Sequence, residues 1–272
     1  MVESTNILIE SWNYWLEGYH YNNDILVITF ENLTGGVRRP DGYREGWGST
    51  YFRKRGISHL CVKPKMADWY QKPDLPRTFR KLKRNGFFSP YSKILTYGAS
   101  MGGFGALAYA NLVGATSVLS LNPQSTMDRR KLPHETRFSL SQRQSWEGEF
   151  SDAAGRSSKA KSVYIFADMA FKPDRDQVER VIDKNTCVFN VPHLGHGIAH
   201  FLQRMGILST IVTQVIDEDV DRNGIREALR SRRSFPAYYN NLLSTPRVQS
   251  SEILTNIIKK GRAKSSNRRK PL

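Results

Sequence analysis

Short apolar runs recur along the chain, separated by helical or irregular sequence. Each run is rich in β-branched or aromatic residues, a pattern typical of buried strands. The runs are Ile25–Phe30, His59–Lys63, Lys93–Tyr97, Ser117–Leu121, Ser162–Ala167 and Cys187–Val191. Strands that alternate with helices predict a mostly parallel sheet covered by helices on both faces, the α/β class.

The segments between the runs predict two helices and one long excursion. Arg77–Asn85 is a basic helix ended by Gly86, and Asp174–Asp183 is a helix with Asp174 at its N-cap. Asn122–Ser157 shows no helical or strand period. We expect it to cross the C-terminal edge of the sheet, where doubly wound folds bind ligands.

The composition changes after Val215, which predicts an α/β domain over residues 1–216 and a basic C-terminal extension over residues 217–272. Glu252–Lys260 is expected to form a last amphipathic helix. Ala263–Leu272 consists almost entirely of Lys, Arg, Ser and Asn, and is expected to be disordered.

The net charge of +16 is concentrated in this extension. From Arg222 onward there are thirteen Lys or Arg residues but only two acidic ones, Glu227 and Glu252. Such a tail attracts polyanions such as an anionic glycan, a lipid surface or nucleic acid. A solvated face that serves only solubility fits the same pattern. No motif for reading a nucleic-acid sequence accompanies the charge.

Other features of the composition predict a globular, cytoplasmic protein. Hydrophobic residues make up 39% of the chain. No apolar stretch approaches the roughly 20 residues that would span a bilayer, and the first ten residues lack a signal-peptide pattern. The two cysteines, Cys61 and Cys187, fall in predicted strands, so we expect no disulfide.

The segment Gly98-Ala99-Ser100-Met101-Gly102-Gly103 reads G-x-S-x-G-G between a predicted strand and an alanine-rich helix. That context is the one a nucleophile elbow requires. Glycines at 98 and 102 allow a sharp turn that exposes the Ser100 hydroxyl. The N-terminus of the next helix points its amides and its positive dipole end at the same place. We therefore predict a nucleophilic serine; an ordinary strand-to-helix turn is the alternative.

A serine hydroxyl needs a base, and the cluster after the sixth run supplies three histidines. His196 lies between two glycines on a loop directly after a strand, so we predict that it is the base, with His193 second. His200 is assigned to the surface of the following helix. Three histidines without further ligands make a poor zinc site, so we predict no metal and no cofactor.

The base needs an acid that fixes its tautomer, expected after the fifth run. Asp168 ends that run and is our choice. Asp174 is the alternative, although the helix N-cap role given above would also explain this aspartate. For the oxyanion hole we predict the amide of Met101, together with Phe30 or Glu31 after the first run.

One acidic motif in the extension imitates a calcium loop. Asp219-Val220-Asp221-Arg222-Asn223-Gly224 matches D-x-D-x-N-G, but the closing position holds Arg230 instead of a glutamate. We therefore predict no calcium site.

The elbow, the Gly195-His196 pair and Asp168 resemble the α/β-hydrolase superfamily over roughly residues 24–215. The resemblance implies an eight-stranded type of sheet, here lacking its first strands, and a Ser-Asp-His triad. Asp68-Trp69-Tyr70 and Leu121-Asn122-Pro123-Gln124 are similar to small bacterial hydrolase-like proteins linked to cell-surface polysaccharides. Trp69-Tyr70 is typical of a packed aromatic pair; its position after the second run, at the same sheet edge as Ser100, also makes Trp69 and Tyr70 candidate substrate contacts, and Gln124 is a third. The segment after Asp168 departs from the superfamily's usual G-x-x-D turn.

These observations predict a serine hydrolase that cleaves an ester or thioester, such as a small-molecule or glycan ester, through an acyl-enzyme. An acyltransferase that passes the acyl group to a glycan or another hydroxyl is one alternative. A non-catalytic, polyanion-binding protein that keeps the elbow only as a turn is the other.

Overall fold

The computed structural model describes residues 4–32 and 44–267. Eight strands form one sheet in the order β1-β2-β4-β3-β5-β6-β7-β8. Their bounds are β1 Ser4–Glu10, β2 Tyr14–Tyr21, β3 Ile25–Phe30, β4 Ser58–Pro64, β5 Lys93–Ala99, β6 Ser117–Leu121, β7 Ser162–Ala167 and β8 Thr186–Asn190. Strands β3 to β8 are parallel, whereas β1 pairs antiparallel with β2 and β2 antiparallel with β4. The predicted mostly parallel α/β sheet is confirmed.

Helices pack on both faces of the sheet, and a series of helices follows the last strand along the chain. Their bounds are α1 Ser49–Arg53, α2 Asp74–Arg84, α3 Met101–Ala108, α4 Ala110–Val113, α5 Lys172–Glu179, α6 Ile198–Arg204, α7 Leu208–Asp217, α8 Arg222–Ala228, α9 Pro236–Leu243, α10 Pro246–Gln249 and α11 Glu252–Asn267. Short 3-10 turns cover Ser139–Arg143 and Leu229–Ser234. No helix in the described part of the chain has the length and apolar character needed to cross a membrane.

The six predicted strands correspond to β3–β8, but the expectation that the first strands are lacking is wrong. β1 and β2 form an antiparallel hairpin at one edge of the sheet. β2 buries alternate positions such as Tyr14 and Leu16, and β1 is mostly exposed. An antiparallel edge needs only one apolar face, so it produces no continuous apolar run.

Each central strand contributes side chains to two separate cores. On β3, Leu26 and Ile28 face the core beneath α2 and α3, while Val27 faces the core beneath α6 and α7. On β5, Leu95 and Tyr97 belong to the second core. This two-sided burial explains why these strands read as continuous apolar runs.

The C-terminal extension packs on the domain at its start. Ile225 joins the second core, and the Asn241 side-chain amide donates to the His193 carbonyl at 3.1 Å. The calcium-like motif has a structural role, because Asp221 caps α8 by accepting from the amides of Asn223 and Gly224.

The last helix is longer than predicted. α11 continues to Asn267, so the disorder predicted from Ala263 does not begin there. Residues 268–272 lie outside the described residues.

Candidate active site

The serine lies on a strained turn between β5 and α3. Ser100 has φ +55° and ψ −118°, a conformation that is rare for a residue with a side chain. A Cβ on Gly98 would lie 2.0 Å from the Gly102 carbonyl oxygen, and one on Gly102 would lie 2.1 Å from the Phe30 carbonyl oxygen. Both elbow glycines are therefore required by close backbone approach. Strain of this kind costs about 1–3 kcal/mol and clusters at functional sites.

Three side chains form a continuous hydrogen-bonded line from this turn. The Ser100 Oγ lies 2.8 Å from His196 Nε2, and His196 Nδ1 lies 2.7 Å from Asp174 Oδ1. His196 stands on the loop between β8 and α6, as predicted. Asp174 is fully buried in the first turn of α5. These contacts have the geometry that a nucleophile, a base and an orienting acid would require.

Asp168, our first choice of acid, does not contact His196. Its two carboxylate oxygens accept from the backbone amides of Gly195 at 2.8 Å and Ala170 at 2.9 Å. It therefore fixes the loop that carries the histidine. The carboxylate that His196 does contact is that of Asp174, the alternative.

The N-cap role given to Asp174 is also wrong. α5 begins at Lys172, with Phe171 at the N-cap position and a proline in the first turn. Proline has a fixed φ and no backbone N–H to satisfy, so it favours a helix start at this point. The helix therefore begins two residues before Asp174 and directs that side chain inward.

Arg137 contacts the same carboxylate and was not found from the sequence. Its Nη1 donates to Asp174 Oδ1 at 2.7 Å, and its guanidinium also pairs with Glu135. Burial opposes the charged form of Arg137, but the hydrogen bonds to Glu135 and Asp174 outweigh it and raise the pKa of Arg137 above its ordinary value. The buried Asp174 thus has a permanent counter-charge. Arg137 comes from the aperiodic excursion, where no pattern marks one arginine among several.

Gln124 comes from the same excursion and contacts the serine itself. Its Nε2 lies 3.1 Å from Ser100 Oγ, and its Oε1 accepts from Trp69 Nε1 at 3.1 Å. Trp69 and Tyr70 are fully buried, and the Tyr70 hydroxyl donates to the Glu31 carbonyl at 2.6 Å. Trp69 and Tyr70 therefore belong to the packed layer behind the site, as expected of a packed aromatic pair.

The backbone amides predicted for the oxyanion hole, those of Met101, Phe30 and Glu31, differ in where they lie and what they contact. Met101 begins α3 directly after the serine, which is where the prediction needs it. The Glu31 amide donates to the Val62 carbonyl at 3.3 Å, and Phe30 is paired within the sheet to both neighbouring strands. Neither Phe30 nor Glu31 is therefore placed as the second amide donor that we expected. The next residue, Asn32, lines the cavity beside Ser100.

A cavity of about 250 Å³ lies beside the serine. Asn32, Asn122 and His200 contribute polar walls, and Phe138 contributes an aromatic one. His200 lies on α6 as predicted, and it also faces this cavity. The His193 ring instead packs against Tyr238 at 5.6 Å between centroids, so the second candidate base is outside the site.

Solved structures share this architecture, although no family model and no curated protein matches the sequence. A fluorophosphonate-binding serine hydrolase of Staphylococcus aureus aligns with a TM-score of 0.50 and 12% identity, over 79% of this chain and 98% of that one. An esterase of Pyrococcus furiosus aligns with a TM-score of 0.50 and 16% identity, over 80% and 91%. The chain has the α/β-hydrolase fold. A capsule O-acetyltransferase of Neisseria meningitidis serogroup A aligns less well, with a TM-score of 0.48 and 15% identity over 75% and 93%.

Two buried carboxylates lie behind the site in this α/β-hydrolase fold. Burial raises the pKa of Glu31 to about 7, although Arg44 and Lys63 oppose that rise. Burial also raises the pKa of Asp68 to about 6, despite a hydrogen bond from the Tyr14 hydroxyl. Within the described residues, no group of three or more His, Cys, Asp or Glu side chains could hold a metal ion.

Proposed function

We propose that this protein is a serine hydrolase that cleaves an ester or thioester through an acyl-enzyme on Ser100. The hydrogen-bonded line from Ser100 Oγ through His196 to Asp174, at 2.8 and 2.7 Å, is the observation that carries the proposal. It starts at a strained elbow, and a turn kept only for packing has no need of an aligned base and acid.

In the first step the Ser100 proton passes to His196 Nε2 as Oγ bonds to the substrate's acyl carbon. The carbonyl electron pair moves onto the oxygen, where the Met101 amide and the N-terminus of α3 stabilise the charge. The intermediate then collapses, and the leaving alcohol or thiol takes its proton from Nε2. Water repeats the sequence on the acyl-enzyme and regenerates Ser100.

Asp174 stabilises the imidazolium that forms in each step. Its Oδ1 accepts from His196 Nδ1, so the ring keeps its proton there and presents Nε2 as the acceptor. Arg137 pairs with the buried carboxylate at 2.7 Å and supplies its counter-charge.

Acyl transfer to a hydroxyl is the second candidate, and the polar cavity favours it. Asn32, Asn122 and the exposed His200 offer hydrogen-bond donors and acceptors to a sugar-like alcohol beside the serine. At about 250 Å³ the cavity suits a short acyl group or one sugar unit better than a long chain.

The basic extension supports a separate proposal of polyanion binding. Lys259, Lys260 and Lys264 are exposed on α11. An acidic glycan attracted there would be held on the same molecule as the acyl-transfer site. Binding of this kind without catalysis is the remaining alternative.

Turnover of p-nitrophenyl acetate, with and without a monosaccharide acceptor, tests both candidates. We expect p-nitrophenol release by wild type and none above background by Ser100→Ala. Mass spectrometry of the sugar distinguishes water from hydroxyl as the acceptor, because only transfer yields an acetylated sugar. A wild type that releases no more p-nitrophenol than Ser100→Ala would contradict the proposal.

A further inference from the structure

Gln124 is placed to act on the serine in a way that the triad does not require. Its fully buried side-chain amide lies between Ser100 Oγ and the Trp69 indole, with both contacts at 3.1 Å. We propose that Gln124 is a catalytic donor to the Ser100 oxygen and that Trp69 is the residue that fixes its orientation. This inference rests on the proposed hydrolase or acyltransferase function.

The indole settles which way the Gln124 amide points. Trp69 Nε1 carries a proton and can only donate, so the atom facing it is the amide oxygen Oε1. The Gln124 NH₂ group must then face Ser100. A flipped amide would place two donors, Trp69 Nε1–H and the Gln124 NH₂ group, against each other in a buried site, at the cost of that hydrogen bond.

This orientation also directs the serine proton. A hydroxyl has one proton to donate, and Ser100 Oγ accepts from Gln124, so its own proton is available to His196 Nε2 at 2.8 Å. His196 Nδ1 donates to Asp174. Every hydrogen bond from Trp69 to Asp174 therefore runs in one direction, which is the direction of proton transfer in the attack.

Gln124 contacts the atom on which charge develops. As the proton leaves, Oγ gains negative charge while it forms the bond to the acyl carbon. A donor already at 3.1 Å stabilises that charge without rearrangement. When the acyl-enzyme breaks down, the same Oγ departs with the bonding pair and is stabilised again before His196 returns its proton.

The backbone that holds Trp69 is strained. Trp69 and Tyr70 have φ of +51° and +59°, values unfavourable for bulky side chains. Asp68 Oδ1 accepts from the Tyr70 amide at 2.8 Å, and the Gln71 side chain donates to the Trp69 carbonyl at 2.9 Å, which keeps the turn in place. Strain that neighbouring groups enforce is typical of a residue whose position serves the site.

The test is the second-order rate of Ser100 labelling by a fluorophosphonate probe. Gln124→Met keeps the length of the side chain and removes the donor, so we expect labelling about 10–100-fold slower. Gln124→Glu should be slower still, because a carboxylate accepts the Ser100 proton in competition with His196. A residue that only fills space would show the reverse order, since Glu is closer to Gln in shape.

Trp69→Phe tests the positioning role, with Trp146→Phe as the matched control. Trp146 is also buried, and its Nε1 donates to the Ser141 carbonyl at 2.9 Å, away from the serine. We expect Trp69→Phe to slow labelling, Trp146→Phe to leave it unchanged, and Trp69→Phe combined with Gln124→Met to be no slower than Gln124→Met alone.

The outcomes separate this inference from the function on which it rests. Gln124→Met and Gln124→Glu that label at the wild-type rate would overturn the role of Gln124 while the proposed function stands. Fully additive effects in the double variant would overturn the role of Trp69. If Trp69→Phe does not fold, the relative labelling rates of Gln124→Met and Gln124→Glu decide whether Gln124 acts as a donor. A wild type that never labels overturns both proposals.

Discussion

Replacing Asp174 with asparagine removes one charge from the line of contacts and leaves its geometry nearly intact. Arg137 and His196 both donate to Asp174 Oδ1, whereas Oδ2 is buried with no hydrogen-bond partner among the described residues. The asparagine oxygen should therefore stay on the side of Oδ1 and keep accepting from both donors. His196 keeps its tautomer but loses the negative charge beside it.

The magnitude follows from electrostatics. The attack creates an imidazolium 2.7 Å from Asp174 Oδ1, with the Arg137 guanidinium equally close to that oxygen. Two unit charges about 4 Å apart, roughly the separation of the charge centres in such a contact, attract each other by about 4 kcal/mol at an effective dielectric constant of about 20. Its loss slows acylation about 1,000-fold. The repulsion from Arg137 is then no longer compensated, which adds to the effect.

Asp168→Asn is the matched control. In wild type both carboxylate oxygens of Asp168 accept from backbone amides, from Gly195 at 2.8 Å and from Ala170 at 2.9 Å. In the variant the asparagine NH₂ group must therefore face one of these N–H groups. Losing a hydrogen bond to a charged acceptor costs about 1.5–3 kcal/mol of folding free energy. We expect a lower thermal midpoint and a kcat/KM within about tenfold of wild type, since Asp168 contacts no reacting group.

The assay measures kcat/KM for p-nitrophenyl acetate and the thermal midpoint for both variants. We expect activity to fall mainly in Asp174→Asn, and Asp168→Asn to show its effect mainly in stability. Equal loss of activity in both variants, or greater loss in Asp168→Asn, would refute the assignment of Asp174.

Three further outcomes follow from the structure. Arg137→Gln removes the counter-charge of a buried carboxylate, so urea unfolding should show a loss of about 3–5 kcal/mol. Burial raises the pKa of Glu31 from its ordinary 4.5 to about 7, so the folded state holds that proton more tightly than the unfolded chain does. The unfolding free energy should therefore fall as pH rises between those two values, and Glu31→Gln should reduce the slope. A double variant that carries Lys259→Glu and Lys260→Glu should elute from heparin at a lower salt concentration than wild type, and its ester turnover should be unchanged.

Each of these has a clear contrary result. An Arg137→Gln variant as stable as wild type would show that Asp174 needs no ionic partner. An unfolding free energy that rises across the same pH range, or a Glu31→Gln slope equal to that of wild type, would contradict the raised pKa of Glu31. Heparin elution at an unchanged salt concentration would leave the α11 lysines as a solvated face.

The turn at Ser100 was predictable from local signals, and the position of His196 was predictable from the topology of the sheet. Gly98 and Gly102 are required by backbone contacts within the turn, and a strand and helix flank it in sequence. His196 follows the last strand of a parallel sheet, whose C-terminal edge also carries Ser100. Topology alone thus brings them to the same edge.

The acid could not be chosen from the sequence, because Asp168 and Asp174 both follow β7. A shift of two residues in the start of α5 decides which side chain faces His196, and boundaries of that kind are the least certain part of a sequence prediction. The β1–β2 hairpin was missed for a related reason. One of its faces is exposed, so its strands lack the apolar runs of the parallel core.

The positions of Gln124 and Arg137 in the site depend on tertiary structure alone. Both belong to the aperiodic excursion, which the sequence correctly placed over the edge of the sheet. Which of its polar residues reach the site depends on a path without regular structure. The burial of Trp69 likewise depends on a positive φ at a bulky residue, which sequence preferences argue against.

Covalent modification of Ser100 is the most direct test of the central claim. Wild type and Ser100→Ala are incubated with a fluorophosphonate probe, and intact mass and peptide mapping locate the adduct. The strained elbow and the aligned base predict a single adduct on Ser100 in wild type and none in the variant. Equal labelling of both proteins, or an adduct mapped to another residue, would contradict the account.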